Sequence, residues 1–108
     1  MTDKIVVLST CGTEAEAETI ARAVLEKRLA ACVNVVSGVR SLYRWQGKIE
    51  DSAEWLLVIK SSRDLFERLR AEIERVHSYQ TPEVVAVPIV AVAPNYLLWL
   101  DHELAADE

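Results

Sequence analysis

The chain has 108 residues, of which 51% are hydrophobic and 27% are charged, and its formal net charge is −5. This length predicts one domain covering residues 1–108, and the composition excludes a disordered or collagen-like chain. The acidic balance argues against nucleic acid as a partner, because phosphate binding needs an excess of Lys and Arg.

The cysteine count and the apolar runs predict the cellular compartment. Cys11 and Cys32 are too few for a disulfide framework, and their spacing matches no zinc motif. The N-terminal residues show no signal-peptide pattern, and the longest apolar run, Val84–Ala93, is too short to span a bilayer. We therefore expect a cytoplasmic protein with reduced thiols and no membrane partner.

The first half of the chain combines strand and helix patterns. Lys4–Ser9 is rich in β-branched residues and predicts a buried strand. Thr13, followed three residues later by Glu16, has the capping-box pattern that opens a helix. Two extended segments follow this helix, Ala31–Val36 and Val39–Trp45, with Ser-Gly between them. The apolar stripe of the helix consists of Ala17, Ile20, Ala21, Val24, Leu25 and Leu29.

The second half continues with a turn, a strand, a helix, a strand and a final helix. Gln46–Lys48 is typical of a turn, and Ser52–Ser61 predicts the returning strand. A second helix begins near Ser61–Ser62, and Val84–Val92 predicts the last main strand. Pro94 opens a final helix. The buried seam of the second helix consists of Phe66, Leu69, Ile73 and Val76.

The order of these elements predicts an α+β fold. A β-α-β-β-α-β chain with a C-terminal helix has the ferredoxin-like split arrangement. Right-handed crossovers then place the first two helices on one face of an antiparallel sheet. Pro88 lacks an amide donor, so the last strand is expected at an edge or a bulge.

The central hairpin is longer than the domain that carries it. A strand from Ala31 to Trp45 spans about 50 Å when extended, whereas a compact domain of this size is about 35 Å wide. An exposed edge with aromatic residues invites pairing with another chain. We expect a homo-oligomer in which each hairpin docks on a neighbour, and the alternative is a hairpin that folds back over its own sheet. The apolar residues assigned to the tip are Leu42, Tyr43, Trp45 and Ile49, with Trp55 on the returning strand.

Four stretches of the sequence carry a resemblance to a known family. They are LAACVN at Leu29–Asn34, SLYRWQGKI at Ser41–Ile49, HSYQTPE at His77–Glu83 and YLLWL at Tyr96–Leu100. In this order they resemble the CutA divalent-cation tolerance family, and the likeness extends over Ile5–Leu104. The resemblance implies a ferredoxin-like subunit, a homotrimer similar in architecture to the PII signalling proteins, a link to copper and other divalent cations, and no enzymatic activity.

The metal residues that the resemblance implies are only partly present. The family's proposed copper ligands are a Cys at the end of the first strand and a His pair before the Tyr-x-x-Pro turn. The matching positions here hold Ser9 and the pair Val76-His77, and Cys11 is a candidate thiol ligand or a small residue of the connection. Cu(I) prefers thiolates, and Cu(II) or Zn(II) usually needs several imidazole or carboxylate ligands. We therefore expect weak copper binding at Ser9, Cys11 and His77, with no required cofactor.

The same motifs supply candidates for a cleft between subunits. An aromatic cleft with a few polar groups is the usual form of a small-ligand site. The alternative is that the aromatic residues fill the subunit interface and that His77 caps its helix. The alternative function is a PII-like small-molecule or nucleotide sensor, although the sequence has no Gly-rich phosphate loop. The sequence also contains no hydrolase or protease motif. The cleft candidates are Tyr43, Trp45, Lys60, Tyr79 and Glu83.

Overall fold

The structure is a computed structural model that describes residues 2–105. Residue 1 and residues 106–108 of the predicted domain span lie outside the described range. The four strands form one antiparallel sheet in the order β2-β3-β1-β4, which confirms the predicted α+β, ferredoxin-like arrangement. The elements are β1 (Lys4–Cys11), α1 (Glu14–Glu26), β2 (Cys32–Trp45), β3 (Lys48–Ser62), α2 (Phe66–Val76), β4 (Val85–Pro88) and α3 (Pro94–Glu103).

Helix α1 begins where the capping pattern predicts. Thr13 is the N-cap, and its Oγ1 accepts a hydrogen bond of 3.1 Å from the amide of Glu16. The Glu16 carboxylate itself accepts a 2.6 Å hydrogen bond from the amide of Ser78, beyond the end of α2. The start of α1 is therefore tied to the segment that follows α2.

The core lies between one face of the sheet and the first two helices. Strand β1 alternates, so that Val7, Ser9 and Cys11 are fully buried on the core face. The same alternation in β3 buries Leu57 and Ile59. The helix residues that complete the core are Ala17, Ile20, Ala21 and Val24 of α1 and Leu69 and Ile73 of α2.

The central hairpin, which we call the arm, comprises residues 39–54. Its two-residue turn has positive φ at Gln46 (50°) and Gly47 (79°), as the tightest hairpin turns require. The molecule extends over 44 × 25 × 22 Å, and Leu42 and Ile49 are 61% and 71% exposed. In the described residues of a single subunit the arm therefore does not fold back over its own sheet. Trp55 lies on the returning strand, as predicted, where it pairs with Cys11 and packs against the core.

A bulge sets the orientation of the arm. Val36 pairs with Leu56 and Val39 pairs with Glu54, so two residues of β2 oppose one residue of β3. The extra residue fits because Gly38 has a φ of +76°, which lies in the left-handed region. Because side chains alternate along a strand, the bulge brings the odd-numbered arm residues to the face of Glu54. These residues are Val39, Ser41, Tyr43 and Trp45.

Strand β4 is shorter than predicted. The predicted strand Val84–Val92 is wrong outside Val85–Pro88, because β4 has β1 as its one partner strand among the residues that the structure describes. Pro88 already lies opposite Ile5, one residue after the start of β1, so little partner strand is left to pair with. As expected for a proline, Pro88 belongs to an edge strand of the sheet.

Helix α2 begins later than predicted. Strand β3 continues through Ser62, and a 3-10 turn at Arg63–Leu65 precedes the helix. The Ser62 hydroxyl donates a 2.7 Å hydrogen bond to Asp64, which stabilises this turn. The serine pair therefore belongs to the end of a strand, and the helix starts at Phe66.

Candidate functional site

A groove of about 630 Å³ lies beside the arm. Strands β1, β2 and β3 and the connection between α2 and β4 contribute its lining. The groove combines three aromatic rings with charged groups, which is a composition typical of small-ligand sites. The lining residues of most chemical interest are Arg40, Tyr43, Trp45, Glu54, Tyr79 and Glu83.

Tyr79 and Glu54 form the most buried polar contact of the groove. The Tyr79 hydroxyl donates a 2.6 Å hydrogen bond to Oε2 of Glu54, which is only 5% exposed. Burial, together with this hydrogen bond and the negative charge of Glu54, raises the pKa of the Tyr79 phenol well above its ordinary value. The phenol therefore keeps its proton at neutral pH and acts as a donor to the carboxylate.

The charges of the groove are unbalanced. Arg40 donates to both carboxylate oxygens of Asp51, from Nε at 2.9 Å and from Nη2 at 2.6 Å. Within residues 2–105, neither Glu54 nor Glu83 forms a salt bridge. The guanidinium of Arg40 is therefore paired with Asp51 and does not neutralise Glu54 or Glu83. The groove keeps an excess of negative charge.

His77 lies buried beside the end of β1. Its Nδ1 accepts a 3.0 Å hydrogen bond from the amide of Tyr79, so Nε2 carries the proton and donates to the carbonyl of Thr10 at 2.8 Å. The side chain is fully buried, and Oε2 of Glu16 lies 3.5 Å from Nδ1. Both ring nitrogens are therefore already engaged in hydrogen bonds.

The other two predicted metal ligands are Ser9 and Cys11, which precede and follow Thr10. Both are buried on the core face of β1. The Cys11 thiol donates to the carbonyl of Thr13 at 3.5 Å, and burial, with a further effect of Glu16, raises its pKa. Oγ of Ser9 is buried and has no hydrogen-bond partner within the described part of the chain.

The predicted metal residues are near one another but do not form a complete site within residues 2–105 of the chain. The His77 ring contacts the strand that carries Ser9 and Cys11. Across residues 2–105, no group of three or more His, Cys, Asp or Glu side chains is arranged to hold a metal ion. A transition metal normally takes at least three such ligands. The described residues of one chain therefore do not fit a resident, tightly bound copper ion.

Most of the predicted cleft residues lie together. Tyr43, Trp45, Tyr79 and Glu83 all line the groove, whereas Lys60 does not. Lys60 instead donates a 2.5 Å hydrogen bond from Nζ to the side chain of Asn34 across the β2–β3 pair.

Glu54 is the main residue that the sequence reasoning missed. It is the one carboxylate of residues 52–61 and directly precedes the apolar run Trp55–Ile59. A carboxylate beside such a run is a signal of a buried polar role, because an unpaired buried charge is unfavourable. The signal was present, but its partner, Tyr79, is distant along the chain.

Sequence comparisons show that the chain is similar to proteins of one family. A family model described as the CutA1 divalent ion tolerance protein matches residues 5–103. The divalent-cation tolerance protein CutA of Thermus thermophilus is 46% identical over 95 residues, which cover 88% of this chain and 92% of that protein. The homologue of Pectobacterium atrosepticum is 39% identical over 102 residues, covering 94% and 93% of the two chains. The aligned region spans about half of the mouse and Arabidopsis CutA proteins, at 51% and 54% of their lengths.

Solved structures have the same fold. The divalent cation tolerance protein of Thermus thermophilus superposes with a TM-score of 0.92 at 43% identity, covering 94% of this chain and 99% of that one. The CutA of Archaeoglobus fulgidus, described as a periplasmic divalent cation tolerance protein, has a TM-score of 0.90 at 37% identity, covering 93% and 97%. Within residues 2–105, no helix has the length and hydrophobicity needed to cross a membrane.

Proposed function

The chain belongs to the CutA1 divalent ion tolerance family, and from this membership we propose that it is a cytoplasmic, non-enzymatic homotrimer that contributes to copper tolerance by weak metal binding. The observation that carries this proposal is the arm, whose apolar side chains are exposed in one subunit. Three copies are the number that the family resemblance implies. In this proposal the metal ion is bound transiently as cargo and is not a resident cofactor.

The exposure of the arm supports docking on a second copy. Leu42 and Ile49 are 61% and 71% exposed, and the strand pairing places both on the arm face opposite to that of Tyr43 and Trp45. Docking through Leu42 and Ile49 therefore does not require Tyr43 and Trp45, which line the groove. Burial of apolar surface is worth about 25 cal/mol per Å², so covering such a hairpin is favourable. A closed ring of identical copies covers every arm in the same way, which is the common form of a homo-oligomer.

The contacts of His77 support weak metal binding. A metal ion that binds either ring nitrogen must displace the Tyr79 amide or the Thr10 carbonyl, and each exchange loses a hydrogen bond worth about 1 kcal/mol. The raised pKa of the Cys11 thiol opposes the thiolate that copper prefers. Ser9 offers a neutral hydroxyl instead of a thiolate. All three effects lower the affinity.

Titration of the assembled protein with Cu(II) tests the metal proposal. His77→Gln should weaken binding, because it removes the proposed imidazole ligand. His102→Gln is the matched control, since His102 is 82% exposed on α3 and should not affect the affinity. Unchanged binding in His77→Gln, with the fold intact by circular dichroism, would remove His77 from the metal site.

A second candidate function is small-molecule sensing at the groove. The specific observation in its favour is a groove of about 630 Å³ lined by Tyr43, Trp45 and Tyr79, within the usual size of ligand pockets. The carboxylates of Glu54 and Glu83 disfavour a nucleotide, because they repel its phosphates. Equilibrium titration with ATP tests the nucleotide form of this candidate, and no binding is expected.

A further inference from the structure

Glu54 is a nearly buried carboxylate that no described cation neutralises. It is 5% exposed, and its one side-chain hydrogen bond among residues 2–105 comes from the neutral phenol of Tyr79. That bond reaches Oε2, and Oε1 has no donor in the described part of the chain. Among residues 2–105 the one buried side-chain oxygen without a partner is Oγ of Ser9, so Oε1 of Glu54 is accessible, and Glu54 lines the groove. A cation from outside this chain would complete the contact.

The walls of the groove indicate which kind of cation fits. Tyr43, Trp45 and Tyr79 line the same cavity as Glu54, and aromatic faces attract ammonium groups through cation–π interactions. A divalent metal ion needs several more ligands, and the described residues form no cluster of three metal-binding side chains. The combination of aromatic rings and few carboxylates therefore suits an organic ammonium better than a metal ion.

We propose that the groove binds an aliphatic diamine, with one ammonium group donating to Glu54 and the chain lying against Trp45 and Tyr43. Glu83 provides a second carboxylate in the same lining, which suits the second ammonium group. The guanidinium of Arg40 does not oppose this charge, because Asp51 already neutralises it. The inference rests on the second candidate function and names its ligand class.

The register of the arm explains how one sequence segment builds this wall. Val39 lies opposite Glu54, and Tyr43 and Trp45 lie on the same face because both are an even number of residues further along the strand. The bulge at residues 37 and 38 establishes this phase. Without the bulge, Tyr43 and Trp45 would lie on the opposite face of the hairpin from Val36.

Calorimetric titration of the full-length, assembled protein with putrescine at low salt tests the proposal. We expect saturable binding of putrescine and none of 1,4-butanediol, its uncharged analogue. Glu54→Gln should weaken binding by about ten- to a hundredfold, since it removes a charge-assisted hydrogen bond. Glu50→Gln is the matched control, because Glu50 pairs with Tyr43 on the same arm but does not line the groove.

A second variant keeps the test decisive if Glu54→Gln does not fold. Trp45 is 42% exposed, so Trp45→Leu should fold, and it should weaken putrescine binding by about three- to thirtyfold through the lost cation–π contact. Equal affinity in either folded variant and the wild type would overturn the proposal. So would equal binding of the diol, which would show that charge plays no part.

Three further outcomes distinguish the diamine inference from the alternatives. If ATP binds and putrescine does not, the groove is a small-molecule site but the diamine inference is wrong. If neither binds, the diamine inference is wrong and the nucleotide form of the second candidate function is excluded. If Glu54→Gln lowers the assembled mass in light scattering and putrescine has no effect, the missing cation is a Lys or Arg of another copy, which also contradicts the inference.

Discussion

The hydroxyl of Tyr79 donates a 2.6 Å hydrogen bond to Oε2 of Glu54. This contact joins the connection between α2 and β4 to the base of the arm, two regions that the chain separates by a helix. Both residues line the acidic groove, so the contact is part of its wall. The Tyr79 hydroxyl thus holds a nearly buried carboxylate in place.

Removal of this donor should be costly. In Tyr79→Phe the Glu54 carboxylate loses its one described side-chain donor, and the free energy of unfolding should fall by about 1–3 kcal/mol. Tyr43→Phe is the control, because the Tyr43 hydroxyl contacts Ser52 at 3.1 Å on the exposed arm and its loss should cost about 0.5 kcal/mol. Urea unfolding at one protein concentration measures both. Equal stability of the two variants would show that the Tyr79 contact stabilises the fold no more than the exposed Tyr43 contact does.

Glu72 provides a pH-dependent prediction. Hydrogen bonds from Arg75 and Lys27 lower its pKa from 4.5 to about 2. Because the folded-state pKa is depressed, the stabilisation is complete above about pH 4.5 and is lost as the pH falls towards 2. Both cationic partners are more than half exposed, so solvent screening limits the effect to about 1–2 kcal/mol.

The variant Glu72→Gln separates this contribution from general acid unfolding. It should be less stable than the wild type at pH 7, and the difference should shrink as the pH is lowered from 4.5 to 2.5. Glu67→Gln is the control, since Glu67 is 75% exposed and pairs with Arg70 within one helix. A Glu72→Gln difference that persists unchanged at pH 2.5 would contradict the assigned ion pair.

Gly38 should be the least replaceable residue of the bulge. Its φ of +76° is strained for any L side chain, although no atom lies within 4 Å of an added Cβ. Gly38→Ala should therefore lower the free energy of unfolding by about 1 kcal/mol through backbone strain alone. Ser37→Ala, at the adjacent bulge residue, should have little effect. A Gly38→Ala variant as stable as the wild type would show that the bulge relaxes at no cost.

Local sequence signals predicted the elements well where their cause is local. Thr13 and Glu16 identified the start of α1, because a helix cap involves residues three apart. Gln46 and Gly47 lie within the predicted turn for the same reason. The end of β4 at Pro88 was not predictable in this way, because it depends on where β1 begins.

The chemistry of the site depended on contacts that no local pattern contains. Tyr79 and Glu83 were identified from a motif, but the carboxylate that Tyr79 contacts is 25 positions earlier in the chain. The engagement of both His77 nitrogens likewise involves Thr10, which is 67 positions away. The sequence identified candidate side chains for the groove, but the fold determines which of them are in contact.

The most direct test of the proposed trimer is the mass of the protein in solution, since identical copies are proposed to cover the exposed arms. Multi-angle light scattering should give three times the 12.1 kDa subunit mass. Ile49→Asp should reduce that mass by placing a charge on a 71% exposed arm residue, whereas Thr19→Asp on the outer surface of α1 should not. A wild-type mass of 12.1 kDa at all concentrations would contradict the account.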